Sequence, residues 1–217
     1  MLILGLDTAT PAVTVALHDG GQPLAQLVTV DAHRHAELLT PAISKVIADS
    51  GAERADLTGI AVGVGPGPYT GLRVGLVTAR VLGAALGVPV YGVCSLDVIA
   101  ADVEAPAGFL VATDARRREG YWAEYDERGG RTAGPSVDVP ADVTPRGQPV
   151  AGEGALLYPS WLPNGTGPTY PAAATLCRMV TTALAAGETG RLLPPEPLYL
   201  RRPDAREPGA PKRVSPS

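Results

Sequence analysis

Several groups of residues in this 217-residue sequence have the types and spacing to do chemistry. Asp7-Thr8-Ala9-Thr10 closes a short apolar run. At a strand end, an acid and two hydroxyls can hold hydrated magnesium and a phosphate. The same residues also make an ordinary turn, their side chains bonding nearby amides. The run from Gly63 to Arg73, Gly-Val-Gly-Pro-Gly-Pro-Tyr-Thr-Gly-Leu-Arg, leads from an apolar segment into a helical pattern, where backbone amides can cradle phosphate. It fits neither phosphate fingerprint. A Walker loop begun at Gly65 needs glycine where Thr70 stands, followed by lysine, and GxGxxG fails from Gly63 and from Gly65. Pro66 and Pro68 lack the amide hydrogens a cradle uses, so a rigid strand-to-helix turn is favoured. His33 and His35 would point about 200° apart on a helix, unlike an i, i+4 metal pair, and read as solvated or helix-entry residues. Asp114-Ala115-Arg116-Arg117-Arg118-Glu119 is a charged turn that either binds phosphate or an acidic surface, or is a solvated hairpin loop. No nucleophile elbow, Cys-His pairing or helical metal motif accompanies these groups, so no catalytic residue, cofactor or metal is expected.

The elements that must position these residues follow from hydrophobic period. Leu2 to Asp7, Val13 to His18 and Gln22 to Val30 read as three strands joined by tight turns. Leu38, Leu39, Ala42, Ile43, Val46 and Ile47 form the stripe of an amphipathic helix from Ala36 to Ser50, with Pro41 inside it and a stop at Gly51. Ile60 to Val64 is a buried strand, Thr70 to Leu86 a second helix and Val88 to Val93 another strand. Within that second helix, Gly71, Gly75, Ala79 and Gly83 recur every fourth residue. Interior helical glycine costs about 0.8 to 1 kcal/mol relative to alanine. Close approach of another backbone would offset this, and spacing leaves open whether it is the chain's own sheet or a partner's helix. We expect the stripe to lie on or beside a partner surface.

A linker at 104–108 precedes a hairpin of Phe109 to Thr113 and Gly120 to Tyr125. Residues 134–171 are rich in Pro and Gly, with only Val150 to Gly152 strand-like, and Ala172 to Ala186 is a closing helix. From Arg201 onward there are five basic and two acidic residues and nothing to build a core, which predicts a flexible basic tail. The expected organisation is an N-terminal lobe at 1–104, a reduced second lobe at 105–200 and a tail at 201–217. This order of elements is that of an α/β, actin-like (ribonuclease H-like) pair of lobes.

Composition narrows the function class. A 45% hydrophobic chain of this length can bury a core without metals or disulfides, and Cys94 and Cys177 read as small buried thiols. The start, Met-Leu-Ile-Leu-Gly-Leu-Asp, lacks a basic leader, so no signal peptide or membrane span is expected and the chain is placed in the cytoplasm. A net charge of -4 argues against general attraction to nucleic acid.

Ile-Leu-Gly-Leu-Asp-Thr-Ala-Thr at 3–10, Gly-Pro-Gly-Pro-Tyr-Thr-Gly-Leu-Arg-Val-Gly at 65–75, Asp-Ala-Arg-Arg at 114–117 and Pro-Leu-Tyr-Leu-Arg at 197–201 together resemble the TsaB (YeaZ) family, over nearly all of the chain. The second motif departs from the commonest form by Pro68 and Tyr69 in place of Ser and Phe. The resemblance implies an actin-like (ASKHA) fold and a non-catalytic, dimerising scaffold. It would pair with the catalytic subunit TsaD and the ATPase TsaE in the complex that transfers threonylcarbamoyl to N6 of adenosine 37 in tRNAs reading A-starting codons. It would reach tRNA only through that complex, and would form homodimers when TsaD is absent. The catalytic relative binds its metal through paired histidines on a helix, and this chain has no HxxxH. The resemblance places the partner contact on the two helices at 36–50 and 69–86. The interface residues expected there are Leu38, Leu39, Ala42, Ile43, Val46, Tyr69, Leu72, Arg73, Gly75, Leu76, Ala79 and Gly83. Asp7, Thr8, Thr10, Gly65, Gly67, Thr70, Gly71, Asp114, Arg116 and Arg117 are family-motif residues whose role is open. The rival readings are an actin-like nucleotide-hydrolysing enzyme using Asp7, an M22-type metallopeptidase, and a regulatory binding module.

Overall fold

The computed structural model of the chain describes residues 1–105, 107–143 and 147–201. The tail expected at 201–217 therefore lies, apart from Arg201, outside the described residues, as does position 106 of the expected linker. Strands β1 (Ile3–Asp7), β2 (Ala12–His18) and β3 (Pro23–Val30) form an antiparallel meander. Helix α1 (His35–Ser50) then leads to β4 (Gly59–Gly63), α2 (Tyr69–Leu86) and β5 (Val90–Val93). Strands β4 and β5 extend the sheet in parallel from β1, giving the order β3-β2-β1-β4-β5. Gly51 and Gly87 stop the two helices in left-handed conformations, at φ 73° and 66°, which glycine adopts without a Cβ penalty.

Alternation along β1 divides the first sheet into faces. Leu4 and Leu6, with Val13, Val15 and Leu17 of β2, pack under Leu39, Ile43 and Val46 of α1 and Leu72, Leu76 and Ala79 of α2. Ile3, on the other face, packs with Ala61, Val93 and residues Leu176, Cys177 and Val180 of helix α5 (Ala173–Ala185). Gly5 permits the close approach of α5, since a Cβ there would run into the Cys177 Sγ and stand 2.7 Å from the Ala173 carbonyl oxygen. The closing helix therefore forms where the sequence predicts it, but its apolar face covers the first sheet and completes a helix–sheet–helix sandwich. Chain order and packing do not coincide here.

Short helix α3 (Ser95–Ala100) turns the chain into the second sheet. Strands β6 (Phe109–Asp114), β7 (Gly120–Tyr125) and β8 (Arg131–Asp138) form a second antiparallel meander, and β9 (Val150–Ala151) pairs in parallel with β6. The order β8-β7-β6-β9 repeats that of the first sheet without its last strand. This is an α/β, actin-like architecture with a reduced second lobe. Phe109, the sole phenylalanine, stacks on Tyr125 at 5.3 Å between ring centroids. Together with Val111 and Ala123 they pack against Leu96 and Ile99 of α3.

Three elements escape the periodicity argument. Strand β8 lies largely in the stretch expected to be loop, because Gly134 and Pro135 interrupt its pattern. Helices α3, with six residues, and α4 (Gly154–Leu157), with four, are too short to show a period. Cys94 and Cys177 are buried free thiols, as expected.

Candidate functional site

Asp7 ends β1 and is fully buried. One carboxylate oxygen accepts a hydrogen bond from the Ser95 hydroxyl at 2.6 Å, the other from the Ala9 amide at 2.8 Å. Ser95 also accepts from the Gly65 amide, so one acid ties β1 to the glycine-rich loop and to α3. Gly63 is required beside it, because a Cβ would overlap the carboxylate. Burial pushes the Asp7 carboxyl up to about 6, against the pull of the Ser95 and Ala9 bonds. A carboxyl sealed in this way presents no oxygen to a hydrated cation and acts as a brace between loops. Thr10 is equally internal; its carbonyl lies 2.8 Å from His35 Nε2. His35 is thus a buried helix-entry residue, whereas His33 is exposed. Among the described residues no group of three His, Cys, Asp or Glu side chains could hold a metal ion.

Thr8 explains the glycine stripe. Its hydroxyl donates to the Gly71 carbonyl at 2.7 Å and accepts from the Gly75 amide at 3.0 Å, bridging backbone groups one turn apart on α2. A Cβ on Gly71 would stand 2.7 Å from the Thr8 carbonyl oxygen, and one on Gly75 2.5 Å from the Thr8 hydroxyl. Gly83 meets Val90 in the same way. What needs these small residues is the chain's own Thr8, just past β1, and Val90 of β5, which corrects the expectation of a partner against the stripe. Gly65, with φ 93°, and Gly67, whose missing Cβ leaves room for the Ala9 carbonyl, complete the turn into α2.

The expected interface residues are corrected on the same ground. Leu39, Ala42, Ile43, Val46, Leu72, Gly75, Leu76, Ala79 and Gly83 are buried inside the first lobe, and Leu38 is half-buried. Hydrophobic period identified the faces of α1 and α2 that look at the sheet. Of the residues named, Tyr69 and Arg73 face outward, the guanidinium lying 3.8 Å above the Tyr69 ring. Tyr199 stacks on Tyr69 at 5.3 Å and accepts a hydrogen bond from Arg73 Nε at 3.1 Å, so the Pro-Leu-Tyr-Leu-Arg motif returns to the start of α2.

The outward apolar surface of these helices lies elsewhere. Val77 and Val81, one turn apart on α2, are 58% and 61% exposed. They flank a groove of about 560 Å³ between α1 and α2, lined also by Thr40, Ile43, Ser44 and Leu82. These residues were missed, although the signal was present: α2 carries apolar residues on its outer as well as its inner side, the pattern of a helix covered on both.

In the second lobe, Asp114 ends β6 as Asp7 ends β1. It accepts hydrogen bonds from the Arg116 amide at 2.9 Å and the Tyr158 hydroxyl at 3.3 Å. Arg116, Arg117 and Arg118 turn the hairpin in three successive left-handed conformations. Glu153, a buried acid the sequence did not disclose, accepts from the Asp114 amide at 3.3 Å. Burial pushes its carboxyl up to about 7. Arg116 reaches across to a cleft of about 430 Å³ that Thr10, His33, His35, Tyr69, Thr70 and Gly71 also line, so the first, second and third motifs meet at one place.

The family described as "TsaD: tRNA N6-adenosine threonylcarbamoyltransferase" matches residues 28–161. An uncharacterized protein of Mycobacterium tuberculosis is 47% identical over 209 residues, covering 94% of this chain and 93% of that protein. The Escherichia coli tRNA threonylcarbamoyladenosine biosynthesis protein TsaB is 31% identical over 226 residues, covering 93% and 95%. The solved structure of YeaZ from Pseudomonas aeruginosa superposes with a TM-score of 0.77 at 28% identity, covering 92% of this chain and 99% of that one.

Proposed function

The chain belongs to the TsaB (YeaZ) family, and from that membership we propose that it is a non-catalytic scaffold subunit of the threonylcarbamoyl transfer complex, docking on TsaD through the outer faces of α1 and α2. Its place in threonylcarbamoyladenosine biosynthesis follows from the family. The observation that carries the scaffold reading is the apolar groove bordered by Val77 and Val81, which lies on the two helices where the resemblance puts the partner. Two adjacent valines this exposed on one helix mark a surface that gains by being covered. Homodimerisation through the same groove when TsaD is absent follows from the same chemistry.

The reading as a subunit without its own chemistry is supported by Asp7, which is occupied in bracing loops. The three histidines, at 18, 33 and 35, also offer no paired helical ligand set of the kind the catalytic relative uses. TsaE joins the assembly, and tRNA reaches this chain through its partners, in keeping with a net charge of -4. Among the described residues no helix is long and apolar enough to cross a membrane, and we place the complex in the cytoplasm.

The deciding test is TsaD affinity of the V77D/V81D variant. Burying two carboxylates without partners in an interface should weaken binding at least 10-fold while the isolated chain melts as the wild type does. Undiminished affinity would remove α2 from the interface.

A further inference from the structure

A cavity of about 510 Å³, sharing no lining residue with the motif cleft, opens between α3, the start of β8, α5 and the 3-10 turn at Thr189–Arg191. Its size falls within the roughly 300 to 1,000 Å³ of small-molecule sites. The apolar part of its wall includes Val93, Met179 and Leu192. Its charged part is three arginines, Arg131, Arg178 and Arg191, from three separate elements, and two acids, Asp97 and Glu188.

Each of the three arginines is paired with one carboxylate. Asp97 accepts from the Tyr125 hydroxyl at 2.8 Å and pairs with Arg131 at 3.3 Å. Asp102 accepts from the Thr175 hydroxyl at 2.6 Å and from Arg178 at 2.9 Å. Glu188 pairs with Arg191 at 2.9 Å on the exposed rim. A guanidinium has five N–H donors in a fork matched to an oxyanion, and Arg131 and Arg178 each spend one donor on these bonds. An anion entering here would meet the guanidinium donors that remain. Cys94 also lines the cavity, but burial pushes its thiol up to about 11, so it supplies no thiolate and the site is one for reversible binding.

We propose that this cavity binds an amphipathic organic anion: a carboxylate or phosphate monoester held by Arg131 and Arg178, on a short apolar body lying against Val93, Met179 and Leu192. Because Arg131 belongs to the second sheet while Met179 and Val93 belong to the packing of the first, the ligand bridges the two lobes. The site shares no lining residue with the α1–α2 groove.

Titration of the full chain with phenyl phosphate and with benzoate, followed by amide shifts of Gly129 and Arg131, tests the assignment. Saturable binding of at least one probe below 10 mM is expected, at least 10-fold tighter than inorganic phosphate. Preference between the two probes identifies the head group. R131K/R178K keeps the charge while losing the fork and should weaken binding about 10-fold. R191A changes a residue held only by a surface pair and serves as a variant whose folding is not in question; it should weaken binding about 3-fold. No saturable shift, equal affinity for inorganic phosphate, or unchanged affinity in both variants would overturn the proposal.

Discussion

Thr8 and Asp7 stand next to each other and turn the same strand end into two different fasteners. The Thr8 hydroxyl bridges Gly71 and Gly75 on α2, and the Asp7 carboxylate joins Ala9 and Ser95. Replacing Gly75 with leucine should therefore destabilise the isolated chain by about 1 to 3 kcal/mol through overpacking against Thr8, measurable as a lower denaturation midpoint. An unchanged midpoint would put the stripe back on a free surface. The Asp7 carboxyl carries a pH signature. Its folded value, about 6, lies above the ordinary 3.8, so the folded state holds the proton more tightly than the unfolded chain. Its contribution is fully present below about pH 4 and is lost as pH rises to 6, a change of the order of 3 kcal/mol. Relative to D7N, the wild type should lose stability across that window, and a parallel pair of curves would deny the burial. Glu153, raised from 4.5 to about 7, has the same sign over pH 4.5 to 7, which E153Q should flatten. Sequence made Asp7 and Thr8 conspicuous, but the choice between brace and ligand needed Ser95, 88 positions away.

Helix α2 shows why an element can be located correctly and its working face misjudged. Period-3.6 reasoning finds the face with the most apolar residues, which is the face the sheet buries: Leu72, Leu76 and Ala79. Val77 and Val81 stand on the other side and need a second apolar stripe to be noticed. The V77D/V81D variant should bind TsaD at least 10-fold more weakly at unchanged thermal stability, and its homodimer, measured by analytical ultracentrifugation, should dissociate in parallel. Loss of stability without loss of affinity would mean that the two valines serve the monomer. The elements that sequence left out share a cause. In β8, Gly134 and Pro135 break the alternation within the strand, which holds because the Tyr121 to Tyr125 side pairs with it across that break. The short helices α3 and α4 are defined by tertiary contact, not by their own pattern.

At the scale of the molecule, two sheets of one topology, β3-β2-β1-β4-β5 and β8-β7-β6-β9, each present an aspartate at the end of the first strand. In a nucleotide-hydrolysing protein of this architecture such ends would face a bound phosphate; here Asp7 is sealed and Asp114 is engaged by Arg116 and Tyr158. The return of α5 to the first sheet and the stacking of Tyr199 on Tyr69 join the end of the described chain to its beginning, long-range contacts that no local pattern announces. The fold leaves outward an apolar groove on two helices, the surface on which the proposed scaffold role rests. The most direct measurement of that claim is threonylcarbamoyl transfer to tRNA by TsaD and TsaE from the same host, assayed with this chain, without it, and with its D7N and V77D/V81D variants. The account predicts transfer that depends on the chain, persists within a few-fold with D7N, and falls at least 10-fold with V77D/V81D. Transfer by this chain in the absence of TsaD, or a 100-fold loss in D7N with the complex intact, would contradict it.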